Sequence, residues 1–171
     1  LKNKKIDLTK TDEYENVALA YASMEDNLQV VEKMTEKECN ISQVDLQGED
    51  ALSSAVLNNR EDIALVIAKK WNKDFNHKYT IGQTKSADLP ETKQYARKRD
   101  ITILMRALIF NMTKLCEFII LSGKYDLGQV DYLNKTLLIN LIEKKYSHLA
   151  ELVLKSDQEI NCGHKDNSRT T

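Results

Sequence analysis

Apolar positions in this chain come in short blocks separated by polar punctuation, and the blocks repeat. The first is Val17-Ala18-Leu19-Ala20-Tyr21-Ala22. Its counterparts are Asp50-Ala51-Leu52-Ser53-Ser54-Ala55, Thr102-Ile103-Leu104-Met105-Arg106-Ala107 and Thr136-Leu137-Leu138-Ile139-Asn140-Leu141. Leu holds the third place in all four, and Ala the sixth in the first three. Thirteen and fourteen places after each start stands an apolar pair: Val30-Val31, Ile63-Ala64, Leu115-Cys116 and Leu149-Ala150. Seventeen places after each start stands Met34, Ile67, Ile119 or Val153. Spacings of one, three and four residues place such positions on one face of a helix. Each unit therefore predicts two short amphipathic helices, which in the first unit fall near 18–24 and 28–36.

Helices of that length are marginal alone. Two of them cannot bury their own apolar faces, so neighbouring units must stack. Ala22, Ala55 and Ala107 allow the first helices of adjacent units to approach closely. The period is regular: 33 residues from 17 to 50, 34 from 102 to 136, and 34 from 136 to 170. The step from 50 to 102 is 52, one period plus an insertion. Thr170-Thr171 falls where a further unit would open.

This period and pattern resemble the ankyrin repeat, a unit of about 33 residues in which a β-turn precedes two antiparallel helices. The resemblance covers about residues 7–171 apart from the insertion. It departs from the family in that no unit keeps the Pro or His of the Thr-Pro-Leu-His-x-Ala opening. Thr stands at Thr102, Thr136 and Thr170, and Asp50 can substitute because its carboxylate also accepts bonds from free helix N–H groups. Asp26, Asn59, Asn111 and Lys145 stand where the family has a Gly between the helices. Asn and Asp tolerate the left-handed region that Gly usually fills, and Lys less well. Asp45-Leu46-Gln47-Gly48 and Asp131-Tyr132-Leu133-Asn134 read as turns, with Asp first and Gly or Asn where a positive φ is needed.

The resemblance implies an all-α class: an ankyrin-repeat solenoid of stacked helix-turn-helix units joined by β-turn or hairpin tips. The chain then reads as one domain over 1–171. Residues 1–11 form the tail of a preceding unit or a cap, and repeats lie near 12–44, 45–76, 98–130 and 131–165. Residues 77–97 form an insertion, and 166–171 begin a further unit. Within the longer polar stretch His77 to Asp100, Leu89 to Arg99 is predicted as a short helix, with Pro90 in its first turn and Arg97-Lys98-Arg99 at its end. A tolerated loop extension and a contact element over the groove are both open readings of the insertion.

Length and composition set the remaining limits. The chain has 171 residues, 42% hydrophobic and 30% charged, which suits a folded core rather than disorder. One Pro and five Gly are too few for a turn-dense β-sandwich. No apolar run reaches the roughly 18 residues of a membrane span. The formal net charge is −1, so there is no global pull toward nucleic acid. Its distribution is uneven, acidic over 12–76 and basic over 77–171. A solvated surface and an oriented partner site both account for that.

The chain lacks GxxxxGK[ST], GxGxxG and HExxH. Cys39, Cys116 and Cys162 have no metal-binding spacing, and Cys116 reads as a buried thiol. Cys162-Gly163-His164 offers two ligands where a zinc site needs four. His148 reads as solvent-facing. The expectation is a protein that is not an enzyme, holds no cofactor and sits in the cytoplasm.

The resemblance implies a protein–protein interaction module whose turn tips and inner helices line a concave groove. Carried over place by place, the partner-binding residues are Leu46, Gln47, Glu49, Leu57 and Asn58 in the second unit and Phe110 in the third. In the fourth they are Tyr132, Leu133, Lys135 and Glu143. Tyr14 occupies the tip of the first unit and Ile101 that of the third. Exposed apolar groups at such places mark an interaction surface. The partner is a protein, with neither nucleic acid nor membrane insertion involved. The alternative is a targeting or regulatory ankyrin domain of a larger enzyme or channel.

Overall fold

A computed structural model describes residues 6–37, 39–81 and 99–156. The chain divides into two compact units, 1–72 and 73–171. The first contains four helices, α1 (Ala18–Met24), α2 (Leu28–Thr35), α3 (Ala51–Leu57) and α4 (Glu61–Lys70). The second contains strands β1 (Lys78–Ile81) and β2 (Arg99–Thr102), then α5 (Ile103–Ile109), α6 (Thr113–Leu121), α7 (Leu137–Glu143) and α8 (Ser147–Leu154).

The helices come in pairs because the same local chemistry recurs in each. Just past the end of each first helix stands a residue with positive φ, which reverses the chain into the second: Asp26 (59°), Asn59 (57°), Asn111 (58°) and Lys145 (62°). Three of these are the short polar types that tolerate this region, and Lys145 lies there against its preference. The first helices start on a cap where the sequence supplies one. Asp50 accepts from the Ser53 N–H while Ser53 Oγ accepts from the Asp50 N–H, a reciprocal box that satisfies two otherwise orphaned donors. Thr102 and Thr136 cap α5 and α7 through Met105 and Ile139 N–H groups. Val17 has no acceptor to offer, and α1 begins without a side-chain cap.

In the first unit α1 packs on α2 and α3, and α4 packs on α2 and α3. Leu19, Val31, Leu52, Ile63 and Ile67 lie in its core. Each such side chain contributes about 1.5–3 kcal/mol through burial. All of α3 from Ala51 to Val56 is buried, which its small residues Ala51, Ser53, Ser54 and Ala55 permit. In the second unit α5 packs on α6 and β2, and α8 packs on α6 and α7. Leu104, Leu115, Cys116, Ile119, Leu137 and Val153 are buried there.

The all-α expectation is corrected here. Lys78 to Ile81 pairs antiparallel with Arg99 to Thr102, Tyr79 opposite Ile101, so the start of the expected insertion and the start of the expected third repeat form a ribbon. The physical reason is a buried cross-strand pair. Tyr79 and Ile101 are each only 2% exposed. The Arg106 guanidinium lies 4.8 Å from the centre of the Tyr79 ring, and the His77 ring meets that ring edge-on at 4.7 Å. Ile101 is therefore a core residue of the second unit and not an exposed tip. Arg99, expected at the end of a helix, belongs to β2. The remainder of that helix, 89–98, lies outside the described residues, as do Cys162, Gly163 and His164.

Candidate partner-binding surface

The candidate surface is built on turns that precede the helix pairs, and each is organised by one aspartate. At 12–16, Asp12 Oδ1 accepts from the Tyr14 and Asn16 N–H groups at 2.9 and 2.8 Å. At 45–49, Asp45 Oδ1 accepts from Gln47 and Glu49 at 2.8 and 2.9 Å. At 131–135, Asp131 Oδ1 accepts from Leu133 and Lys135 at 2.8 and 2.9 Å. Each loop closes with the Asp N–H donating to the carbonyl four residues on: Asn16, Glu49 and Lys135. The fourth residue of each has positive φ: Glu15, Gly48 and Asn134. Each aspartate thus satisfies backbone donors that a tight loop would leave unpaired, and so presents the two residues that follow it.

The inner helix supports the turn from behind. Tyr21 on α1 donates its hydroxyl to Asp12 Oδ2 at 2.7 Å. Asn140 on α7 donates its amide to Asp131 Oδ2 at 3.0 Å. Both stand in the fifth place of the repeated block, where the other two units carry Ser54 and Arg106. The Tyr21 hydroxyl is the first cause holding the Asp12 carboxyl below the ordinary aspartate range. The same bond raises the Tyr21 phenol. Sequence reasoning used Tyr21 and Asn140 only to align the repeat. A polar residue in the fifth place of a buried block is the signal that would have found them.

The expected site residues fall into two sets, one in each unit. In the first unit Leu46 is 64% exposed at the tip, with Gln47 exposed beside it. Adjacent tips are joined by the Leu46 N–H donating to the Tyr14 carbonyl at 3.0 Å. Glu49, expected at the surface, is buried at 8% exposure. Leu57 is half-buried at the end of α3, and the exposed Asn58 that follows spends its amide on the Ser54 carbonyl at 2.8 Å.

In the second unit Leu133 is exposed, while Tyr132 and Phe110 are half-buried. Lys135 Nζ reaches both oxygens of Glu143, at 2.6 and 2.8 Å, so the lysine of this tip is neutralised by the carboxylate at the end of α7. Exposed Ile109 and Ile142 complete the apolar character of the inner helices. Tyr146 on the far side of the α7–α8 turn donates to Asn111 Oδ1 at 2.6 Å, tying two positive-φ turns together.

Elsewhere the chemistry is sparse. Cys116 is buried. His148 is exposed and 3.4 Å from Glu117 Oε1. Tyr125 is buried with its hydroxyl 3.0 Å from Thr102 Oγ1, and burial pushes its pKa well up. Among the described residues no group of three or more His, Cys, Asp or Glu side chains is placed to hold a metal ion. Among the same residues no helix is long and apolar enough to cross a membrane.

No family model matches the chain, and no curated protein does. Among solved structures 362 chains are similar to it, so this arrangement of helix pairs recurs widely. One belongs to the complex of Bd0816, a predatory endopeptidase from Bdellovibrio bacteriovorus, with the immunity protein Bd3460. It is 25% identical, with a TM-score of 0.68 over 99% of this chain and 77% of that one. The likeness runs to a chain of an endopeptidase–immunity complex. That finding corrects the expected membership of the ankyrin family and the ankyrin-solenoid assignment. The non-catalytic ankyrin module, its targeting-domain alternative and the exclusion of enzymatic activity are corrected with it. A protein partner is consistent with the similar structure, which is itself a complex of two proteins.

Proposed function

We propose that this chain works as one member of an endopeptidase–immunity pair and acts by binding the other member. The observation that supports this most directly is the likeness over 99% of the chain to a protein in such a complex. The tips add physical support. Their backbones are fixed by Asp12, Asp45 and Asp131, and Tyr14, Leu46 and Leu133 stand exposed on them. Apolar and aromatic groups held on a preorganised backbone lose little entropy on association.

The experiment measures cleavage of internal peptide bonds in a mixed peptide pool, read by mass spectrometry. Three samples are compared: the purified chain, the endopeptidase fraction of its source cell, and the two together. Cleavage by the chain alone places it on the endopeptidase side of the pair. A stoichiometric fall in cleavage on mixing places it on the immunity side. No cleavage by the chain and no effect on the fraction overturns the proposal.

A further inference from the structure

The first unit sorts its charge by position. From Asp12 to Glu32, and again from Cys39 to Asn59, the sequence has no Lys, Arg or His. These stretches contain both tips and both inner helices. Their charged residues are all carboxylates, among them Asp12, Glu13, Glu15, Glu25 and Asp26. The described basic residues of this unit are Lys10 before the first tip, Lys33 and Lys37 at the end of α2, Arg60 before α4, and Lys69 and Lys70 at its end; Arg60 pairs with Asp26 at 3.1 Å, which leaves Glu13 and Glu15 as the exposed charges beside the first tip's tyrosine. Glu13 and Glu15 are exposed on either side of Tyr14, itself 55% exposed. Leu46 adjoins Tyr14 through the bond between their tips, and Tyr21 stands 46% exposed above Asp12.

An exposed tyrosine and leucine supply the apolar centre an interface needs, because aromatic anchors carry much of the energy of protein association. A rim of one sign selects the partner and raises the rate of encounter more than it adds affinity. We infer that the tip face of the first unit docks against a lysine- and arginine-rich surface of the partner protein, with Tyr14 and Leu46 at the centre and Glu13 and Glu15 at the rim. This rests on the reading that the chain acts by protein association, and adds the sign and chemistry of the opposing face.

The test titrates the full chain with a ten-residue lysine peptide, with a glutamate peptide as control, following backbone amide signals by NMR. The expected result is a set of shifts concentrated at Tyr14, Tyr21 and Leu46, absent with the glutamate peptide. They should be lost at high salt, because interactions between exposed charges are screened within about 3 Å at 1 M. A Glu13→Lys/Glu15→Lys variant should weaken binding about tenfold or more, and a Glu13→Gln/Glu15→Gln variant by less, each with an unchanged circular dichroism spectrum. Shifts centred on other carboxylates such as Glu61, Asp62 or Glu151 would overturn the inference, as would equal binding by wild type and the charge-reversed variant. The peptide is not a peptidase-pair partner, so this result is independent of the cleavage experiment.

Discussion

The two units use the same helix pair and the same aspartate-organised tip, yet they finish their inner faces differently. In the first unit Asp26 pairs with Arg60, while Glu13 and Glu15 stand exposed on either side of Tyr14, with Tyr21 and Leu46 exposed nearby. In the second unit the tip's lysine, Lys135, is paired with Glu143 at the end of α7. There, too, a ribbon replaces one tip, with Tyr79 in contact with both His77 and Arg106. One fold therefore serves two ends. Both units spend aspartates on their own turns, but the second also pairs the lysine of its tip, whereas the first exposes Tyr14 between two glutamates.

The largest expected effect is at the ribbon. Tyr79→Ala removes a buried aromatic and the ring on which Arg106 rests, and should cost about 3–5 kcal/mol in a urea unfolding experiment. Tyr21→Ala, the same truncation at an exposed tyrosine of the first unit, should cost far less because Tyr21 is 46% exposed. If the two variants behave alike, the ribbon is not the anchor of the second unit.

Caps give the next effect. Asp50→Ala breaks a reciprocal box, and should cost about 1–2 kcal/mol by thermal unfolding. Thr136→Ala breaks a single bond, and should cost about 1 kcal/mol. A smaller change of opposite sign is expected at Lys145. It occupies the left-handed region at φ 62°, where glycine is unstrained. Lys145→Gly should gain up to about 1 kcal/mol, and Asn111→Gly less, since Asn tolerates this region already.

The smallest effect is one of titration. The Asp12 carboxyl is held low, first by the Tyr21 hydroxyl and then by the N–H groups of Asn16 and Tyr14, against the cost of desolvation. A group whose folded pKa is depressed contributes stability above its unfolded value of about 3.9 and loses it as pH falls through the folded value. Tyr21→Phe should move the Asp12 titration back up toward the ordinary range, followed by carbon-detected NMR of the carboxyl. An unmoved titration would place the cause with the backbone donors alone.

Local structure was legible because it rests on local chemistry. The Leu in third place and the apolar residues thirteen, fourteen and seventeen on mark the buried faces, and α1 and α2 fall at 18–24 and 28–35. Thr102, Thr136 and Asp50 announce their caps, and Asp26, Asn59 and Asn111 their turns. The ribbon was not legible, because Lys78-Tyr79-Thr80-Ile81 and Arg99-Asp100-Ile101-Thr102 are short, polar and separated by a long intervening stretch. Their pairing depends on the tertiary burial of Tyr79 and Ile101, which no window of sequence reveals. Glu49 was misplaced for a related reason: periodicity gives its place after the turn but not which way the carboxylate faces. The family name and the exclusion of catalysis failed for a different cause. A helix period specifies how faces are buried, and one architecture supports many functions. Of the site, Leu46, Gln47 and Leu133, carried over from the resemblance, do stand exposed on turns. The support that Tyr21 and Asn140 give to their aspartates was hidden in a position read only for alignment.

The central claim is that this chain acts by binding the other member of an endopeptidase–immunity pair through its tips. Amide hydrogen exchange, with and without the partner recovered from the mixing experiment, tests it most directly. The account predicts slowed exchange at residues 12–16 and 45–47, extending to 131–135 if the second unit also engages. Slowed exchange confined to α2, α4, α6 and α8, with the tips unchanged, would contradict it.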